Sequence, residues 1–192
     1  MRNLSDRRRA RIVGILILVA YGMLTYSLTG NRALGVVTDI AAGCAVLLIP
    51  VLMRPIFAAP ANAGLNAAYM GARFIEGGLM LLGGALLLFP ALEPYRGAIY
   101  ENLQIWFFLL GAWFFYLLLR RTGAVPGFLS AWGLLATLAL FAMTLLQLAG
   151  TATPWLAILV LPIVLNEAFL AIWLMVKGFS PEALAPPRQP PG

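Results

Sequence analysis

The sequence predicts an all-α membrane protein: a bundle of six transmembrane helices with short loops and both termini cytoplasmic. Three observations predict it. Of 192 residues, 62 % are hydrophobic and only 10 % charged, with a mean hydropathy of +0.92, which leaves too little polar surface for a soluble domain of this size. Six apolar segments come close to the about 20 residues that cross roughly 30 Å of hydrocarbon. Finally, the basic residues gather at every second separator, the pattern of the positive-inside rule.

Residues 1–10 form a basic cytoplasmic start. Arg2, Arg7, Arg8 and Arg9, with Arg11, stand before or at the first apolar run, where they can also attract anionic lipid headgroups. No small-residue cleavage pattern follows, so the first helix, 11–29, is expected to be retained rather than removed as a signal. "TGNRA" separates it from a second helix over 34–53, and "RPIFAAPANAG" leads to a third over 66–90. "PALEPYRG" precedes a fourth over 99–119, "RRTGAVPG" a fifth over 127–148 and "GTATP" a sixth over 155–176. Each separator carries Gly or Pro breakers, and loops this short make neighbouring helices antiparallel. The membrane domain is thus 11–177, and the proline-rich tail 178–192 is expected to be disordered. With the N-terminus inside, Arg54, Arg120, Arg121, Lys177 and Arg188 also fall inside, and only Arg32 and Arg96 fall outside.

Several chemistries are excluded by residue type. There is no histidine, which removes His-bound metals, bis-His haem and Ser-His-Asp catalysis. The only cysteine, Cys44, lies inside an apolar run and is expected to be a small buried hydrophobe, so neither a metal site nor a cofactor is expected. The only lysine, Lys177, ends the last apolar run, which argues against a mid-membrane Schiff base. A net charge of +6 reflects the cytoplasmic flanks and implies no nucleic-acid partner.

"RFIEGG", residues 73–78, breaks the apolar rule. An ionisable group at mid-bilayer is costly unless paired or facing a cavity. Counting about 1.5 Å of rise per residue, Arg73 and Glu76 in the third helix share a layer with Asn166 and Glu167 in the sixth. Arg73 and Glu76, three apart, lie on one helix face, and one guanidinium can bridge two carboxylates, here Glu76 and Glu167. A carboxyl group left without its own counter-charge is suited to acid–base work on an apolar substrate, or to proton coupling. The same groups can instead merely fix helix register. Pro162 is expected to kink the sixth helix one turn above Asn166.

A second polar layer holds Asp39, Glu101, Asn102 and Gln147, either as interfacial caps or as an outer vestibule toward Glu76. In the third helix, Ala67-x-x-x-Gly71 and further glycines suggest a central, closely approached helix. In the fourth, Trp106 and Trp113 belong to an aromatic stripe, "IWFFLLGAWFFYLL", that either packs or walls a hydrophobic ligand such as a quinone, isoprenoid or steroid-like molecule. Glu76 and Glu167 close the two halves of the chain in a pattern resembling an inverted repeat.

Three stretches, "RFIEGGLMLLGG", "LLRRTGAVPGFLSAWGLL" and "NEAFLAIWLMVKGF", resemble a bacterial family of small integral membrane proteins known only as a domain of unknown function, the 4386 group. The resemblance implies a bacterial plasma-membrane location and brings no activity with it. The reading that fits the residues is a membrane-open pocket that binds, and can convert by isomerisation, cyclisation or hydration, a small lipophilic molecule. Glu76, Glu167 and Arg73 would carry the chemistry, and Asn166, Asp39, Glu101, Asn102, Trp106 and Trp113 would line the binding region. A proton-linked transporter and a structural subunit of a membrane complex are the alternatives, and exposed small-residue faces permit a homo-oligomer or partner subunit.

Overall fold

The computed structural model describes residues 5–151 and 153–180; most of the expected tail, from residue 181 on, lies outside them. Among the described residues the chain folds into six long helical segments, without a strand. They are α1 Asp6–Thr29, α2 Arg32–Met53, α3 Ala63–Leu86, α4 Pro90–Thr122, α5 Gly127–Leu148 and α6 Pro154–Val176. All but α3 are long and apolar enough to cross a membrane. The exception, at 24 residues, has the length, but Arg73, Glu76 and its glycines lower its hydropathy.

Three segments have other bounds than the sequence suggests. α1 starts at Asp6 rather than at residue 11, because Arg9 pairs with Asp6 at 2.5 Å across the first turn. The third helix begins at Ala63 and ends at Leu86, not over 66–90. The fourth starts at Pro90: "PALEPYRG" is helical and not a loop, since Pro90 and Pro94 occupy first-turn positions where a missing N–H costs nothing.

Each helix packs on its chain neighbours, and α1 packs on α6, so the bundle closes into a ring in chain order. Glycine permits the closest crossing. A methyl group on Gly77 would lie 2.7 Å from Leu47 Cγ and 3.0 Å from the Gly43 carbonyl oxygen, so α2 and α3 approach at backbone distance. Likewise, a methyl group on Gly14 would lie 2.5 Å from the Ala171 carbonyl oxygen where α1 meets α6. The Ala67/Gly71 pair takes no part in a contact: both are exposed, and a methyl group on Gly71 would meet no atom within 4 Å. Cys44 is exposed on α2 rather than buried.

The two ends of the described chain lie together, since Asp6 and Arg7 line a surface hollow with Val176–Phe179. Ser180 N–H also donates to the Ala124 carbonyl in the α4–α5 loop. Arg7, Arg8, Arg11, Arg54, Arg120, Arg121 and Lys177 are all exposed around this end. Beneath it sits an aromatic core of Phe57, Tyr69 and Phe115, with ring centroids 5.4–6.2 Å apart.

Three segments depart from α geometry in the half of the bundle away from the termini. α1 tightens to a 3-10 turn over Tyr21–Leu24, α4 widens to a π turn over Tyr100–Gln104, and α6 is 3-10 over Pro154–Val160 before turning α-helical at Leu161. Pro162 stands in the first turn of that α portion. The change from 3-10 to α geometry falls just before it, where a residue without an N–H interrupts the helical hydrogen bonding. In this half α1 leans on α2 while α6 leans on α5, so the α1/α6 seam, tight at Gly14 and Ala171, splays beyond them.

Candidate functional site

The splay opens onto a cavity of about 240 Å³ in the middle of the ring, lined from all six helices. Its walls are mostly apolar, including Ile17, Val46, Ile49, Phe108, Met143 and Ile163. The polar lining comes from Tyr21 of α1, Arg73 and Glu76 of α3, Gln104 of α4 and Glu167 of α6. All three irregular turns contribute lining residues: Tyr21, Met23 and Leu24 from α1, Gln104 from α4 and Val160 from α6. Non-α backbone at membrane depth is tolerated where it borders a cavity or is packed in protein. Leu24, 42 % exposed, marks where the cavity meets the surface along the α1/α6 seam. At roughly 30 Å³ for each water-sized group, the volume holds about eight non-hydrogen atoms. That is too small for a whole steroid and suits a small molecule, or one end of a longer one.

Arg73 and Glu76 are 7 % and 2 % exposed. They sit one turn apart on α3, and Arg73 NH1 donates to Glu76 Oε2 at 2.8 Å. The other carboxylate oxygen, Oε1, accepts from Gln104 Nε2 at 3.3 Å. The π turn brings Gln104 to this position, and neither its residue type nor its spacing marked it in the sequence. The Arg73 guanidinium lies between the rings of Tyr69 and Phe108, 5.9 and 5.5 Å from their centroids. It has room because the facing residue on α4 is Gly111, where a methyl group would come within 3.0 Å of Nε.

Glu167 lines the same cavity but has a different partner. Tyr21 Oη donates to its Oε2 at 2.7 Å, bridging α1 and α6 just where the seam begins to open. Arg73 thus makes its ion pair with Glu76 and none with Glu167, so the expected double bridge is not formed. Tyr21, missed in the sequence reading, became legible only once α1 and α6 were known to be neighbours.

Asn166 faces away from the cavity: its Nδ2 donates to the Leu129 carbonyl at 3.1 Å, tying α6 to α5. Asp39 is fully buried and held by Arg96 through two hydrogen bonds of 2.6 and 3.0 Å. Arg96 also donates to the Met23 carbonyl at 2.8 Å and lies between the rings of Tyr26 and Tyr100, 4.9 and 4.4 Å from their centroids. This clasp replaces the expected vestibule at Asp39, because Arg96 sits on helix rather than in a loop. Beside it, Arg32 pairs with Glu93 at 3.2 Å, and Tyr26 donates to Glu93. Glu101 and Asn102 are exposed, and the Asn102 side chain returns to the Ala98 carbonyl. Gln147 is exposed at the end of α5. Trp106 packs edge-on to Phe141 at 6.3 Å, and neither it nor Trp113 lines the cavity; Phe108 and Phe115 do. Among the described residues no group of three or more metal-ligating side chains gathers.

Residues 95–178 match the model of a domain of unknown function (DUF4386). The DUF4386 match agrees with the resemblance carried by "LLRRTGAVPGFLSAWGLL" and "NEAFLAIWLMVKGF", while "RFIEGGLMLLGG" lies ahead of it. It therefore takes in Gln104 and Glu167 from the cavity wall and leaves out Tyr21, Arg73 and Glu76. No curated protein and no solved structure matches the chain. DUF4386 carries no activity to transfer, and function must be argued from the site itself.

Proposed function

We propose that the chain crosses a bacterial plasma membrane six times, with both termini cytoplasmic, and binds a small lipophilic molecule in the ring cavity. The observation that carries this reading is the cavity itself. It is largely apolar, counts the exposed Leu24 among its lining residues where α1 and α6 part, and gathers a few polar groups from four helices. A molecule dissolved in the bilayer would reach it along the seam without passing through water. The exposed cationic side chains gathered at the end bearing both termini support the orientation.

Glu167 is the group suited to acid–base work on the bound molecule. Both oxygens of Glu76 are engaged, by Arg73 and Gln104, whereas Glu167 is hydrogen-bonded through one oxygen, to Tyr21. Isomerisation, cyclisation or hydration would need no more than such a carboxyl group and a cationic neighbour. Proton-linked transport is the weaker reading, because Asp39 is locked by Arg96 and Glu101 stands outside the bundle. Neither leads inward to Glu76.

The test is native mass spectrometry of the protein in lipid nanodiscs, with the co-purifying small molecules extracted and compared between wild type, Glu76→Gln and Glu167→Gln. A discrete lipophilic species present in wild type and depleted in folded Glu167→Gln is the expected result. Its absence from wild type, together with unchanged cellular phenotypes of both variants, would leave a purely structural role.

A further inference from the structure

Hydrogen-bonding capacity at the cavity level is unbalanced, and the imbalance has a sign. Arg73 carries five N–H donors, yet NH1 alone is engaged, by Glu76, and Nε is buried without an acceptor. Next to it, the Tyr69 hydroxyl is fully buried and also lacks a partner, as does the Tyr116 hydroxyl on the neighbouring helix. Glu76 takes one bond at each oxygen, from Arg73 and from Gln104, and among the described residues Arg73 has no other hydrogen-bonded acceptor. Buried polar groups in folded proteins almost always find partners, and what Arg73 has spare is donors.

The charge count narrows the complement further. One guanidinium faces two carboxyl groups, Glu76 and Glu167, around a cavity of about 240 Å³. An anionic ligand would add a third acidic group opposite a single cation, and a ligand held by the Arg73 donors cannot itself present a cation to them. We infer that the ligand of this cavity is a neutral molecule carrying a carbonyl-type acceptor, held by the spare donors of Arg73, with about seven further non-hydrogen atoms against the apolar wall. A longer molecule would insert its carbonyl end and leave its tail in the α1/α6 seam. This inference rests on the cavity being a lipophile site and adds the polar end of the molecule to that reading.

Cyclohexanone and methylcyclohexane test it, because they match in size and differ in exchanging an acceptor for a methyl group. Binding of each to the protein in nanodiscs is measured by ligand-observed NMR, with partition into empty nanodiscs subtracted. A hydrogen bond from a charged donor predicts a preference of about tenfold or more for the ketone. The preference should vanish in Arg73→Met/Glu76→Met, which removes the pair together. Should that variant not fold, Arg73→Lys keeps the charge with fewer, differently placed donors, and should reduce the preference severalfold while leaving hydrocarbon affinity unchanged. Equal binding of both probes to wild type would overturn the carbonyl inference and leave the lipophile site standing. Failure of both probes to bind saturably would overturn the site as well. A ketone preference that persists unchanged in the Arg73 variants would assign the acceptor to another donor and refute the role given to Arg73.

Discussion

Gly77 and Gly78 are adjacent in "RFIEGG" and have opposite surroundings. A methyl group at Gly77 would lie 2.7 Å from Leu47 Cγ, 2.9 Å from Leu47 Cδ2 and 3.0 Å from the Gly43 carbonyl oxygen. The same group at Gly78 would meet no atom within 4 Å. Gly77→Ala must therefore push α3 from α2 or drive Leu47 from its rotamer, and over-packing of this kind costs about 1–3 kcal/mol. Gly78→Ala meets no clash and removes backbone freedom, which favours the helix by roughly 0.5–1 kcal/mol. The two variants should differ by about 1.5–4 kcal/mol, with Gly77→Ala the less stable. Reversible unfolding in mixed micelles, titrated with SDS and followed by circular dichroism, measures this. Leu47→Ala should recover part of the loss in Gly77→Ala, because the clash is shared between the two side chains. If Gly78→Ala lost as much stability as Gly77→Ala, the backbone approach of α2 and α3 would not be the reason for the paired glycines.

Other substitutions separate holding from binding. Asp39→Asn or Arg96→Met alone should each cost about 3–5 kcal/mol, because each leaves a buried charge without its partner; the double variant should cost less than their sum in the same unfolding assay. Asn166→Leu should cost about 0.5–2 kcal/mol by removing the bond to the Leu129 carbonyl, with ligand content by native mass spectrometry unchanged. Tyr21→Phe should show the reverse: stability within about 1.5 kcal/mol of wild type, but altered ligand content, because the Glu167 carboxyl group loses its donor.

Much of this arrangement was legible in the sequence, for physical reasons that differ between residues. Helix existence followed from apolar length, and the proximity of Arg73 to Glu76 from the three-residue spacing, since both depend on local geometry. Counting rise along antiparallel helices also put Glu167 at the level of Glu76, and both line the same cavity. Pairing across helices was not legible. Which residue Asp39 meets depends on the rotation of α4 about its axis, and that rotation is altered by a π turn which no residue announces. "PALEPYRG" misled because prolines serve equally in turns and in first helical turns, and only the burial of Arg96 decides between them. Tyr21 was hidden for another reason. One tyrosine in a long apolar helix carries no signal until the ring closes and α6 becomes its neighbour.

The clasp and the cavity are coupled by one carbonyl. Arg96 holds Asp39 on α2 and the Met23 carbonyl within the 3-10 turn of α1, and Met23 also lines the cavity. The same guanidinium that neutralises Asp39 therefore draws the far half of α1 toward α2 and away from α6, which keeps the seam open. Loss of Arg96 should release that half of α1 and let it settle against α6. Spin labels at Leu24→Cys and Val160→Cys, in a Cys44→Ser background, report the width of the seam by pulsed electron resonance. In otherwise wild-type protein a single narrow distance distribution is expected. Adding Arg96→Met should shift it shorter or broaden it toward shorter distances, and ligand content should fall with it. An unchanged distribution in a folded Arg96→Met protein would mean that the 3-10 turn keeps its own shape, with Arg96 serving only to neutralise Asp39.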